Sequence, residues 1–171
     1  ESFPDGAAPL KKIKDGTYSL ELWRGPTAAF KDMALQIMPR LLSRALKKTD
    51  ESREALILVA TSGDTGKAAL EGYKDVDGVK IAVFYPVDGV SKVQKLQMAT
   101  QTGNNVNVCA IRGNFDDAQN GVKKIFTDDY FVEKAKGYEK LGAKHLLDFE
   151  DDFCGTVSHS EKLVWDNLLV N

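Results

Sequence analysis

The stretch ILVATSGDTGKAAL, residues 57–70, changes character twice. Its opening residues complete a continuous apolar run, Ala55 to Ala60, the pattern of a strand covered on both faces. A loop of small residues follows, Thr61-Ser62-Gly63-Asp64-Thr65-Gly66, and a helix pattern runs from about 65 to 74. Strand, short loop and helix make one β-α unit, and working outward the unit repeats. VKIAVFYP (79–86) is the next strand, with a helix near 91–101, and NVNVCAI (105–111) is the third, with a helix over about 115–126. Apolar strands alternating with helices predict a doubly wound open α/β fold, its sheet mostly parallel and its helices on both faces.

Upstream, TYSLELW (17–23) alternates apolar and polar residues as a half-buried strand does. A helix then places Phe30, Met33, Ala34, Ile37, Met38, Leu41, Leu42, Ala45 and Leu46 at helical spacing, and Pro39 is expected to kink or split it. Downstream, residues 129–142 read as a further helix weakened by Gly137, and a less regular end holds a short amphipathic stretch at Leu163, Val164, Leu168 and Leu169. The expected organisation is an α/β module over 1–128 and a helical tail over 129–171.

Composition narrows the function classes. The chain has 171 residues, 43% hydrophobic and 28% charged, with a net charge of -2. That balance suits one globular unit and gives no electrostatic case for a nucleic-acid partner. Its longest purely apolar run, ALILVA, is too short to span a membrane, and no signal-like segment opens the chain, so a cytoplasmic setting is expected. The first residue is Glu1 rather than methionine, which is read as a fragment, a processed form or an expression product. Cys109 and Cys154 form no C-x-x-C pair, so no disulfide framework or thiolate metal site is expected. The acidic group Asp148, Glu150, Asp151 and Asp152 lacks the order of a calcium loop, and Ser158-His159-Ser160, like His145, reads as a polar turn or cap rather than a catalytic triad.

The 57–70 loop sits beyond the carboxyl end of a strand, where open α/β sheets bind ligands. Backbone N–H groups there approach an anion closely, and hydroxyls on Thr61, Ser62 and Thr65 add donors, which suits a carboxylate or phosphate on a small molecule. The spacing is neither a P-loop nor the dinucleotide fingerprint, since only Asp64 and Thr65 separate Gly63 from Gly66-Lys67 and no glycine stands two residues before Gly63. A plain βα turn with an Asp or Thr cap accounts for the same residues.

A second stretch, ELWRGPTAAFKDMALQ (21–36), leads through Gly25-Pro26 into a helix whose first turn holds Lys31. Acidic residues usually occupy that turn because the macrodipole is positive there. A lysine in that field, among Phe30, Met33 and Ala34, is suited to release its proton and act as a nucleophile toward an aldehyde. A solvated surface lysine is the ordinary alternative.

GPTAAFKD and ATSGDTG, followed in order by YPVDGVSKVQKLQM and GNFDDAQ, resemble the threonine synthases, fold type II enzymes that use pyridoxal 5'-phosphate (PLP). The resemblance runs from about Leu20 to Phe126. It implies that Lys31 holds the cofactor as a Schiff base and is the catalytic lysine. It also implies that Ser62, Gly63, Asp64 and Thr65 form the loop that grips the carboxylate of an amino-acid substrate, with Thr61 beside them, and that Asp64 lies against the cofactor. The reaction implied is that of O-phospho-L-homoserine with water, giving L-threonine and phosphate. Other readings are a threonine or serine dehydratase of the same fold, and a catalytically silent α/β module that binds a small anion or a partner. Asp64 favours the synthase, because the other branches tend to carry Asn there. Lys92, Gln94 and Lys95 read as a solvated helix face, Asn114 as a helix cap, and Asp116 and Gln119 as structural. The family's cofactor-phosphate loop, of the SGNFGD type, lies downstream of the matched region, and Gly113-Asn114-Phe115 is not assigned that role, so a partial enzyme is expected.

Overall fold

A computed structural model of the chain describes residues 2–52 and 54–127. Its centre is a parallel sheet of β3 (Ala55–Ala60), β4 (Val79–Pro86) and β5 (Val106–Ile111), in the order β3-β4-β5. Ile57 pairs with Ile81 and Val83 with Val108, so the three apolar runs lie side by side. Every residue of β4 but Lys80 is buried, as expected of a central strand whose faces are both covered.

The pleat of β4 sorts its side chains between two cores. Val79, Ile81, Val83 and Tyr85 join Ala69, Leu70 and Tyr73 of α3 (Asp64–Tyr73) and Met98 of α4 (Lys92–Ala99). Ala82 and Phe84 face the other way, with Cys109 and Ile111, onto Ala118 and Ile125 of α5 (Phe115–Thr127). Helices therefore cover both faces, and the α/β expectation holds. At the amino ends of the strands, Asn105 ties the layers together. Its Nδ2 donates to the carbonyls of Tyr73 at 2.8 Å and Val79 at 2.9 Å, and its Oδ1 accepts from the Asp75 N–H at 2.7 Å.

The first part of the chain departs from the sequence reading in three ways. TYSLELW shortens to β2 (Thr17–Leu20), which pairs antiparallel with β1 (Leu10–Lys14), a strand whose three lysines hid it. The apolar residues of this hairpin, Leu10, Ile13, Tyr18 and Leu20, are exposed rather than half-buried. The helix is split, as expected, into α1 (Asp32–Leu35) and α2 (Met38–Lys48), but the break falls before Met38 rather than at Pro39, which sits in the first turn of α2, where its missing N–H leaves no bond unmade. The division turns the apolar stripe away from the sheet. Leu35, Leu42 and Leu46 pack on the core, while Phe30, Met33, Ile37, Met38 and Leu41 are exposed. The tail expected over 129–171, with Cys154, His145, His159 and the acidic run, lies outside the described residues. No helix among the described residues is long and apolar enough to cross a membrane.

Candidate functional site

Each parallel strand hands the chain to a helix at its carboxyl end, and two of those helices meet the segment that carries Lys31: α3 packs on α1, and Gln97 of α4 donates to the Thr27 carbonyl at 3.5 Å. After Ala60, Thr61 is buried, and its N–H continues the sheet by donating to the Phe84 carbonyl at 2.9 Å. The Thr61 hydroxyl oxygen then accepts from the N–H groups of Gly63 at 2.9 Å and Gly66 at 3.0 Å. One side chain thus closes the loop on itself, which gives Thr61 a structural duty beside the ligand role implied by resemblance. Gly66 suits the same turn, since a Cβ there would stand 2.4 Å from Cγ2 of Thr61.

Gly63 has φ of +132°, a conformation that side-chain-bearing residues rarely adopt, and a Cβ on it would stand 2.3 Å from the Gln94 side-chain amide. Gln94 lies at N3 of α4, where it forms a capping box with Ser91. The Ser91 N–H donates to Gln94 Oε1 at 3.0 Å, and the Gln94 N–H donates to Ser91 Oγ at 3.2 Å. The remaining amide end of Gln94 donates to Asp64 Oδ1 at 3.0 Å. Lys67, one turn along α3, places its ammonium 3.1 Å from the same oxygen while its own side chain is only 10% exposed. The carboxyl of Asp64 is held below the ordinary aspartate range by the hydrogen bond from Gln94 first, then by Lys67, with the charge of Lys31 contributing in the same direction. That contribution brings the lysine and the loop into one electrostatic neighbourhood.

Lys31 immediately precedes α1, a helix of four residues. A single turn sums few peptide dipoles, so the field invoked from the sequence is not what sets this lysine apart. What fixes it is a turn pinned by its neighbour. Asp32 is wholly buried, and its carboxylate accepts from the Thr27 N–H at 2.9 Å and the Thr27 hydroxyl at 2.7 Å. Gly25 leaves room for that carboxylate, because a Cβ there would stand 2.4 Å from the Asp32 Cβ. The Ala28 N–H closes on the Gly25 carbonyl at 3.1 Å, and Ala28 itself adopts φ of +56°. The Lys31 amine lies 4.7 Å from the centre of the Phe30 ring, a cation–π distance.

Of the residues singled out from sequence, Thr61, Ser62, Gly63, Asp64 and Thr65 follow the carboxyl end of β3, and Lys31 lies close enough for its charge to act on Asp64. The hydroxyls of Ser62 and Thr65 have no hydrogen-bond partner among the described residues. Lys92 and Lys95 are exposed, as a solvated face should be, but Gln94 between them is part of the site. The signal was present as Ser91-x-x-Gln94. Asp32 and Lys67 were missed, because nothing in local spacing marks a charged residue as buried. Asn114 caps α5 as expected, and Gln119 accepts from Lys123 at 3.1 Å. The turn at Gly113-Asn114-Phe115 makes no phosphate cradle, since the N–H groups of Asn114, Asp116 and Asp117 already donate to Asp117 and Asn114 side chains. Among the described residues, no group of three or more His, Cys, Asp or Glu is arranged to hold a metal ion.

No protein-family model matches the chain. Individual proteins do. Threonine synthase of Pseudomonas aeruginosa is 47% identical over 129 residues, 75% of this chain and 27% of that protein. The chain is a homologue of threonine synthase over this region. The Schizosaccharomyces pombe threonine synthase is 43% identical over 132 residues, which take in 74% of this chain and 26% of that one. Among solved structures, PLP-bound threonine synthase from Brucella melitensis matches with a TM-score of 0.72 and 40% identity, over 79% of this chain and 29% of that chain. This threonine synthase homologue thus spans about a quarter of the length of the curated relatives it matches, and its fold is that of fold type II PLP enzymes.

Proposed function

We propose that residues 21–99 form the lysine-and-loop part of a PLP-dependent threonine synthase site, the enzyme converting O-phospho-L-homoserine and water to L-threonine and phosphate. The observation that carries the reading is the meeting of two separate stretches: α1, which Lys31 leads into, packs directly on α3, which the Ser62–Thr65 loop leads into, and the Thr27 carbonyl accepts from Gln97 of α4 at 3.5 Å. The residues fit the cofactor in kind. Lys31 offers a primary amine for its aldehyde, and Asp64 offers a carboxylate acceptor within range of that amine's charge. PLP when bound supplies an electron sink for carbanion chemistry.

The protein's own part is binding, orientation and proton transfer. Ser62 and Thr65 present hydroxyls with no competing partner, suited to a substrate carboxylate at the start of α3, where the helix field favours an anion. Thr61 holds the loop backbone in the shape that places them. Lys31, on a turn fixed by Asp32, is in position to take a proton from one substrate carbon and return it to another. The cofactor phosphate has no cradle assigned among these residues, which fits a chain that corresponds to part of its relatives.

The test is capture of the cofactor. PLP added to the chain gives a visible absorption band, and borohydride fixes it on the peptide containing Lys31. No band in the wild type, or an unchanged band in Lys31→Ala, refutes the assignment. Phosphate release from O-phosphohomoserine reads the reaction itself. Cofactor capture without release favours an incomplete site, and neither capture nor release favours a silent anion-binding module.

A further inference from the structure

Lysine is among the residues least often buried, yet Lys67 lies inside α3 with 8% of its surface exposed. Among the described residues its ammonium has one anionic partner, Oδ1 of Asp64. The same oxygen receives Gln94 Nε2 at 3.0 Å, and the direction of that bond is forced. The Ser91 N–H can only donate, so the end of the Gln94 amide it meets at 3.0 Å is the carbonyl oxygen, and the NH2 end must turn to Asp64. Two donors from two helices thus converge on one carboxylate oxygen. Oδ2 of Asp64 has no partner among the described residues, and the Asp64 side chain is 48% exposed.

We propose that Lys67 and Gln94 are positioning residues that clamp Oδ1 of Asp64, so that Oδ2 is presented as a fixed acceptor for a hydrogen-bond donor, a hydroxyl or protonated nitrogen, on the molecule bound at Lys31. The proposal rests on reading the Lys31 and loop region as a ligand site, and it deepens that reading by giving Asp64 a defined orientation. An asparagine at 64 turned to satisfy Lys67 and Gln94 through its carbonyl would present NH2 in place of Oδ2, and so reject the same donor. A clamp of this kind needs a carboxylate. The absence of a side chain at Gly63 leaves room for one of the two donors, because a Cβ there would displace the Gln94 amide.

The charged and polar groups acting on Asp64 are Gln94 from α4, Lys67 from α3 and Lys31 ahead of α1. Carbon-13 NMR of the Asp64 carboxyl in the cofactor-free full chain therefore reads the clamp directly. Lys67→Met and Gln94→Met should each move its titration midpoint upward, and Lys67→Arg, which keeps the charge, should restore it toward wild type. In unfolding, Lys67→Met and Asp64→Asn should be coupled by about fivefold or more in the folded-to-unfolded ratio. Borohydride capture of PLP should fall in Lys67→Met and Gln94→Met. An unmoved midpoint in both Met variants, or additive unfolding effects, overturns the proposal. Gln94→Met keeps the first measurement decisive if Lys67→Met does not fold. Shifted midpoints in the Met variants, with a wild type that captures no PLP, support the clamp and remove the cofactor reading. Capture with an unmoved midpoint does the reverse.

Discussion

Gly72 is where α3 touches the segment that carries Lys31. It lies inside the helix, where alanine is worth about 1 kcal/mol more than glycine on intrinsic grounds. A Cβ built there, however, stands 1.9 Å from the backbone carbonyl oxygen of Leu35, the last residue of α1. Ordinary contact begins at 3.4 Å, so α1 would have to withdraw by about 1.5 Å, and a backbone carbonyl has no rotamer by which to step aside. Forced overpacking costs about 1–3 kcal/mol, and here it also lifts Leu35 from the core. The clash outweighs the helix gain, and Gly72→Ala should lose about 1–2 kcal/mol, a five- to thirtyfold fall in the folded-to-unfolded ratio. Gly121 supplies the control. It lies within α5, and a Cβ on it meets nothing within 4 Å. Gly121→Ala should therefore gain about 0.5–1 kcal/mol from the same chemical change. Urea unfolding of the two variants beside wild type gives both signs, and PLP capture at Lys31 should fall in Gly72→Ala alone. Equal or same-signed shifts would refute the packing argument.

Three further outcomes are expected. Thr61→Val leaves two N–H groups of the loop without their acceptor and should cost about 2–4 kcal/mol in urea unfolding, with Thr61→Ser recovering most of it. Asp32→Ala removes the acceptor for the N–H and hydroxyl of Thr27, so a similar loss of about 2–4 kcal/mol should come with weaker PLP capture at Lys31. The third concerns pH. Gln94 and Lys67 lower the Asp64 carboxyl in the folded chain below its ordinary value of 3.8, so its stabilising share is present above that value and lost as pH falls through the folded one. The urea midpoint of wild type should drop below about pH 4, and Asp64→Asn should flatten that fall in part, since Asp77, lowered by Lys47, behaves alike.

The sheet and its three helices were legible because period and punctuation agreed: apolar runs of strand length, each ended by small residues and followed by a helical stripe. β4 runs over the same residues, 79–86, that the pattern marks. β1 was not legible, since LKKIK offers little apolar signal and its only described sheet partner is β2. The stripe from Phe30 to Leu46 follows one helix face and Pro39 signals a break in it, but the break falls before Met38, which changes which side chains meet the sheet. The site was half legible. Lys31 and the 61–65 loop stood out by residue type, whereas Gln94 reaches Asp64 across a separation of thirty residues that no local pattern encodes. Asp32 and Lys67 are charged residues whose burial follows only from tertiary packing.

The alternation along β4 also governs where this chain can change length. Adding or deleting one residue between Val79 and Pro86 would invert the strand, exchanging Ile81, Val83 and Tyr85 with Ala82 and Phe84 between two cores of different size. No local rearrangement absorbs that exchange. In the hairpin of β1 and β2 the side chains on both faces are largely exposed, and the ladder already shifts register between Lys12 and Lys14. Length variation among related chains should therefore gather before residue 21, while the strand at the centre of the sheet keeps its count.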